Sequence, residues 1–145
     1  MDPETVLVKY RKIAVVGASR DPSKWAHVVP KYLMQHGYEI TPVNPTASEV
    51  LGVKAYPNLL SIPHEVEVVQ VFRPSEEVPK IVEEVLERKR RRGDVKAVWL
   101  QLGIRAPPEA KRKLEEAGIY LVEDMCMMET HARLFGQKPL EPETP

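Results

Sequence analysis

One cysteine, Cys126, stands among 145 residues, so no internal disulfide can form and the chain suits a reducing cytoplasm. Neither sign of charge is in excess. Twenty-one basic side chains face 21 acidic ones, which removes whole-molecule attraction to nucleic acid or membrane. No apolar run approaches the ~20 residues of a membrane helix, and the N-terminus lacks a signal-peptide pattern. The four histidines, His27, His36, His64 and His131, share no spacing that suggests a metal site. Aromatic residues amount to 6% and do not interleave with the basic run Arg88–Arg92, as base stacking on a nucleic acid would need. That run reads either as a patch or as a solvated helix end that complements the C-terminal dipole. The length is that of one domain, expected over residues 1–138, with a disordered tail over 139–145.

What is present is an alternation of apolar strands and amphipathic helices. Asp2-Pro3-Glu4 has the form of a helix start, cap followed by proline. Ile13 to Val16 is apolar on both faces, the pattern of a parallel strand covered by helices on each side. A helix over Ala26 to His36 buries Val29, Leu33 and Met34, stops at Gly37, and is expected to carry Pro30 in its first turn or so. Tyr38 to Val43 and Glu65 to Phe72 are the second and third strands. Ser75 is placed to cap the next helix, whose stripe Val78, Ile81, Val82, Val85, Leu86 repeats at i, i+3, i+4, i+7 and i+8. Val95–Leu100 and Ile119–Val122 are the fourth and fifth strands, separated by a helix from Pro107-Pro108-Glu109. A last helix runs from about Cys126 to Phe135. The fold class is therefore α/β, a Rossmann-like doubly wound five-stranded parallel sheet with helices on both faces. The expected strand order is 3-2-1-4-5, with ligands bound beyond the C-terminal strand ends.

At that end, the first strand stops at Gly17-Ala18-Ser19 and a polar turn carries Arg20 and Lys24 into the helix. Strand, glycine turn and helix start make a seat for phosphate on backbone N–H groups. A dinucleotide fingerprint would need two further glycines and an acidic residue after the second strand. This chain has Ser19 and Pro22 at the two glycine places and Val43-Asn44-Pro45 at the strand end. A Walker motif fails too, because Trp25 follows Lys24. The extra cations suit a ligand with more phosphate charge than NAD.

Five segments in order resemble one family: IAVVGAS at 13–19, PVNP at 42–45, VFRPSE at 71–76, VWLQLGI at 98–104, and Cys126 with His131, Arg133 and Leu134. They are similar to small standalone CoA-binding proteins and to the N-terminal CoA-binding domain of the succinyl-CoA synthetase α subunit, over roughly residues 6 to 136. The resemblance implies CoA or an acyl-CoA as ligand. Its diphosphate would lie on Gly17–Lys24, and its 3′-phosphoadenosine between Asn44-Pro45 and Phe72-Arg73-Pro74. Gln101 and Gly103 stand where they could contact the pantetheine amides. Where the family has Asp-Arg-Cys, this chain has Asp124-Met125-Cys126, and Thr130-His131 replaces Glu-His. The related synthetase also needs a phosphohistidine in a further domain. The chain ends before such a domain, so no ligase activity is expected.

Cys126, at a helix start where the dipole favours thiolate, reads in two ways. It meets the CoA thiol and forms a mixed disulfide under oxidising conditions, or it packs inertly with Met127, Met128 and Leu134. His131 pairs with Glu129 or Asp124, acts as a base, or is structural. Trp25 and Trp99 read as packing residues. The main expectation is a CoA-binding protein without catalysis of its own, acting alone, as a homo-oligomer or with a protein partner. The alternatives are a small NAD(P)-dependent oxidoreductase and a nucleotide-binding interaction module.

Overall fold

The computed structural model describes residues 1–145. Asp2 caps α1 (Pro3–Lys9), its carboxylate accepting the Thr5 N–H at 2.8 Å. Then follow β1 (Lys12–Val16), α2 (Trp25–Gln35) and β2 (Glu39–Val43). A small hairpin, β3 (Glu49–Val50) and β4 (Val53–Lys54), and a 3₁₀ turn (Leu59–Ser61) precede β5 (Val68–Val71). A second 3₁₀ turn (Ser75–Glu77) leads into α3 (Val78–Arg92), then β6 (Ala97–Leu100), α4 (Pro108–Glu116), β7 (Tyr120–Val122) and α5 (Met127–Phe135). Alternate strand residues feed two cores. Ile13, Val15 and Trp99 face α1, α2 and α5, while Ala14, Val69 and Val98 face α3 and α4. No helix is long and apolar enough to cross a membrane.

The five parallel strands lie in the order β2-β1-β5-β6-β7, which is 2-1-3-4-5 in the count of long strands and corrects the expected 3-2-1-4-5. The reason is written in β2. Pro42 has no N–H, and proline in a sheet belongs on an edge strand. Its carbonyl points away from β1 and accepts the Tyr56 N–H at 3.0 Å, while Asn44 N–H donates to Tyr56 O at 2.9 Å. The Ala55–Tyr56 segment thus occupies the outer edge of β2, and β5 pairs with the other side of β1. The change moves the switch point to the β1–β5 boundary, so the turns after these two strands are direct neighbours.

Three local expectations are also corrected. Pro30 lies in the interior of α2, not its first turn. The N–H it lacks would have bonded Ala26 O, and that carbonyl instead accepts the Ser19 N–H at 3.1 Å. Ser75 does not cap α3; its hydroxyl accepts the Arg105 N–H at 3.0 Å. Arg88, read as part of a solvated basic end, is fully buried. Its guanidinium forks onto Asp94 and also donates to Leu59 O, Ile62 O and His64 O, at 2.7, 2.9 and 2.6 Å. Residues beyond Pro139 form no helix or strand. Leu140 packs against the α2–α5 core, and Glu143 N–H donates to Pro22 O at 3.0 Å.

His131 is buried on α5 and pairs with neither Glu129 nor Asp124. Its Nδ1 is 2.8 Å from the Tyr32 hydroxyl, and its ring lies among Tyr32, His36, Tyr38 and Phe135. Burial, with the nearby His36 and Arg11 charges, holds it below the ordinary histidine value of 6.5. The unfolded chain therefore takes up this proton more readily than the folded one. The neutral ring's contribution to stability is complete above about pH 6.5 and is lost as pH falls toward the lowered folded value. The melting temperature of the wild type should decline as pH falls below about 6.5, and His131→Gln should flatten part of that slope. An unchanged slope in the variant would assign the decline to other groups.

Candidate functional site

The turns after β1, β2 and β5 and the first two turns of α3 enclose a crevice of about 660 Å³ at the C-terminal edge of the sheet. That volume is ordinary for a small-molecule site, about 300–1,000 Å³. Val16, Val43, Leu59, Phe72 and Ile81 give it apolar walls; Lys24, Arg73 and Lys80 bring cations.

The floor of the crevice is the Gly17–Ser19 turn, and its hydrogen bonds decide its polarity. Gly17 N–H donates to Val43 O at 3.0 Å, which ties β1 to the end of β2. Ala18 O accepts from Asn44 Nδ2 at 2.9 Å, and Ser19 O is 2.8 Å from His27 Nδ1, which must carry the proton to donate there. Both carbonyls are thus turned inward and satisfied. The amides of Ala18 and Arg20, and those of Trp25 and Ala26 at the start of α2, donate to no protein acceptor. Of these four residues Ala18 and Ala26 line the crevice, so unpaired N–H groups border it, the polarity that an oxyanion requires. Asn44 acts as the clamp between the two turns, since its Oδ1 also accepts from Thr46 N–H and hydroxyl at 2.8 and 2.9 Å.

Gly17 has φ +88, and a Cβ there would lie 2.9 Å from Arg73 Cδ and 3.2 Å from Phe72 O. This close approach exists because β5 neighbours β1. Arg73 reaches over Gly17 into the crevice and forks onto Glu77, with Nε–Oε1 3.2 Å and Nη2–Oε2 2.7 Å.

Of the residues singled out from sequence, the crevice gathers Gly17, Ala18, Ser19, Lys24, Val43, Asn44, Pro45, Phe72 and Arg73. Arg20 and Pro74 lie in the bounding turns without lining it, and Gln101, Gly103 and Cys126 stand apart, across β5 and β6. Gln101 is buried, and its Oε1 accepts from Gln70 Nε2 at 3.1 Å and from Met127 N–H, at the start of α5, at 2.8 Å. Gly103 N–H donates to Asp124 Oδ1 at 2.6 Å; Arg105 binds the other carboxylate oxygen at 2.6 Å. Asp124, with φ +54, thereby fixes the turn after β6. Glu123 braces its far side. Burial pushes that carboxyl up, but bonds from Lys111 and the Ala106 N–H, with Lys111 and Arg105 nearby, hold it below the usual range.

Half-buried Cys126 precedes α5. The chain folds back after β7: Met125 N–H donates to Leu100 O at 3.4 Å and Trp99 Nε1 donates to Met125 O at 2.8 Å. Cys126 therefore stands over the end of β6, two strand spacings from β1, roughly 10 Å at ~4.8 Å each. Lys80, Ile81 and Glu84 of α3 were not singled out from sequence. The amphipathic stripe assigns Ile81 to the core, and the polar positions beside it read as solvent-facing until the crevice is seen.

Residues 11–132 match the sequence profile of a CoA binding domain. The chain belongs to this CoA-binding family. As a member, it is 41% identical over 127 residues to the uncharacterized protein YneT of Bacillus subtilis (strain 168), covering 88% of this chain and 90% of that one. It is 36% identical over 136 residues to the acetate–CoA ligase [ADP-forming] II subunit alpha of Pyrococcus furiosus, covering 86% of this chain but 29% of that subunit. The CoA-binding family member thus spans less than a third of the ligase subunit. A hypothetical protein from Pyrococcus horikoshii OT3 superposes with a TM-score of 0.84 at 43% identity, covering 93% of this chain and 91% of that one.

Proposed function

We propose that the chain holds CoA or an acyl-CoA across the C-terminal edge of its sheet and performs no catalysis of its own. The observation that carries this reading is the set of unpaired N–H groups on the Gly17–Ala26 turn, with Ala18 and Ala26 lining the crevice beside Lys24, Arg73 and Lys80. A diphosphate resting on those amides would gain charge-assisted bonds at a helix start. The adenosine end would lie between Asn44-Pro45 and Phe72-Arg73, against apolar walls. The pantetheine arm would then cross β5 and β6 toward Gly103 and Cys126, a span an extended arm can cover.

At that end, Cys126 would exchange with an oxidised form of the ligand. Its thiolate attacks CoA disulfide, a new S–S bond joins Cys126 to one CoA, and the second CoA leaves as thiolate. Electrons and atoms balance without a further oxidant. Intact mass after incubation with CoA disulfide should increase by one CoA, reverse with reductant, and not change in Cys126→Ser. A protein that binds CoA but never gains this mass would limit Cys126 to packing. In a thermal-shift panel, CoA and acetyl-CoA should raise the melting temperature, while NAD and NADP should not. If the nicotinamide nucleotides alone raise it, the oxidoreductase alternative takes over.

A further inference from the structure

We propose that Arg73 and Glu77 form an exchangeable latch in the crevice. A ligand phosphate takes the Arg73 guanidinium from Glu77, so Glu77 is the residue that limits affinity. The inference rests on the reading that the crevice receives the phosphates of CoA.

The Arg73 stem lies against Gly17, where an added Cβ would be 2.9 Å from Cδ, and the guanidinium extends beyond that contact. The guanidinium is anchored only to Glu77, one helical turn on, and both side chains are about half exposed, at 48% and 45%. Both also line the crevice. The other crevice cations, Lys24 and Lys80, enter no ion pair. The remaining crevice carboxylate, Glu84, is bound to the Leu59 N–H. Glu77 is therefore the group in competition with an incoming anion, and Arg73 is the cation it holds. A phosphate matches the guanidinium fork as well as a carboxylate does and brings more charge. The swap leaves Glu77 close to an anion, and that cost is subtracted from the affinity of the whole ligand.

Calorimetric titration with CoA on wild type, Glu77→Gln, Arg73→Gln and the double variant tests the latch, each protein first confirmed folded by circular dichroism. Glu77→Gln should bind CoA about two- to five-fold more tightly, the equilibrium shift that an exposed ion pair of ordinary strength represents. Arg73→Gln should bind more weakly than wild type, and adding Glu77→Gln to it should restore nothing. Weaker binding by Glu77→Gln would mean that Glu77 orients Arg73 for the ligand, which overturns the latch. A gain that persists in the Arg73→Gln background would reduce Glu77 to a general repulsive charge and overturn it as well. In both cases wild type still binds CoA, so the ligand reading stands; a wild type that binds no CoA overturns both.

Discussion

Arg88→Met should destabilise the protein by about 3–5 kcal/mol, the range for removing one partner of a buried ion pair. At this chain length that lowers the melting temperature by about 10 °C or more, at ~3 °C per kcal/mol. The size of the effect follows from what is left behind. Asp94, itself buried, would be left with only the Val66 N–H, at 3.0 Å, as a partner. The carbonyls of Leu59, Ile62 and His64 would lose their donor. Methionine keeps much of the volume, so the loss reports on charge and hydrogen bonding more than on a cavity. Arg88→Lys should recover little, since one ammonium cannot replace a fork that serves a carboxylate and three carbonyls at once. Chemical denaturation with an unchanged m-value measures it. A loss below about 1 kcal/mol, the level of an exposed pair, would show that the 59–64 segment is held by its apolar contacts instead.

Gly17→Val should abolish the stabilisation by CoA and cost the ligand-free protein about 1–3 kcal/mol, the usual strain of a side chain at positive φ. The strain is only part of the effect. The added Cβ would meet Phe72 O, which is backbone and cannot swing away, and Arg73 Cδ. Relief requires the β1 and β5 turns to separate, which moves the Ala18 and Arg20 amides and the Arg73 stem together. A ligand at 100 times its Kd stabilises by about 2.7 kcal/mol. The wild type should gain that amount with saturating CoA and the variant none. A variant that folds and retains the full gain would remove the Gly17 turn from the site.

The elements with strong periodicity were legible because local physics decides them. The stripe from Val78 to Leu86 and the Asp2-Pro3 start each need only their neighbours, and a glycine, Gly93 at φ +70, ends α3. Strand order was not read correctly, although Pro42 carried the signal: a residue without an N–H belongs on an edge. The crevice turns were recognisable from Gly17, Asn44 and Arg73, but their division of labour was not. Asn44 turns out to bind the Ala18 carbonyl and Thr46, a role that depends on how two turns meet in space. Arg88 was hidden inside a run of five cations because its burial depends on Asp94 and on a loop 24 to 29 residues upstream. The place of Cys126 depends on the reversal at Met125, which no periodicity announces.

Direct calorimetric titration of the wild type with CoA tests whether the β1–β5 switch point holds the phosphates of that ligand. One CoA should bind per chain, more weakly as salt is raised because cations face the phosphates, with NAD at the same concentration giving no saturable heat. The absence of saturable heat with CoA, or saturation by NAD instead, would mean that the crevice is not a CoA site.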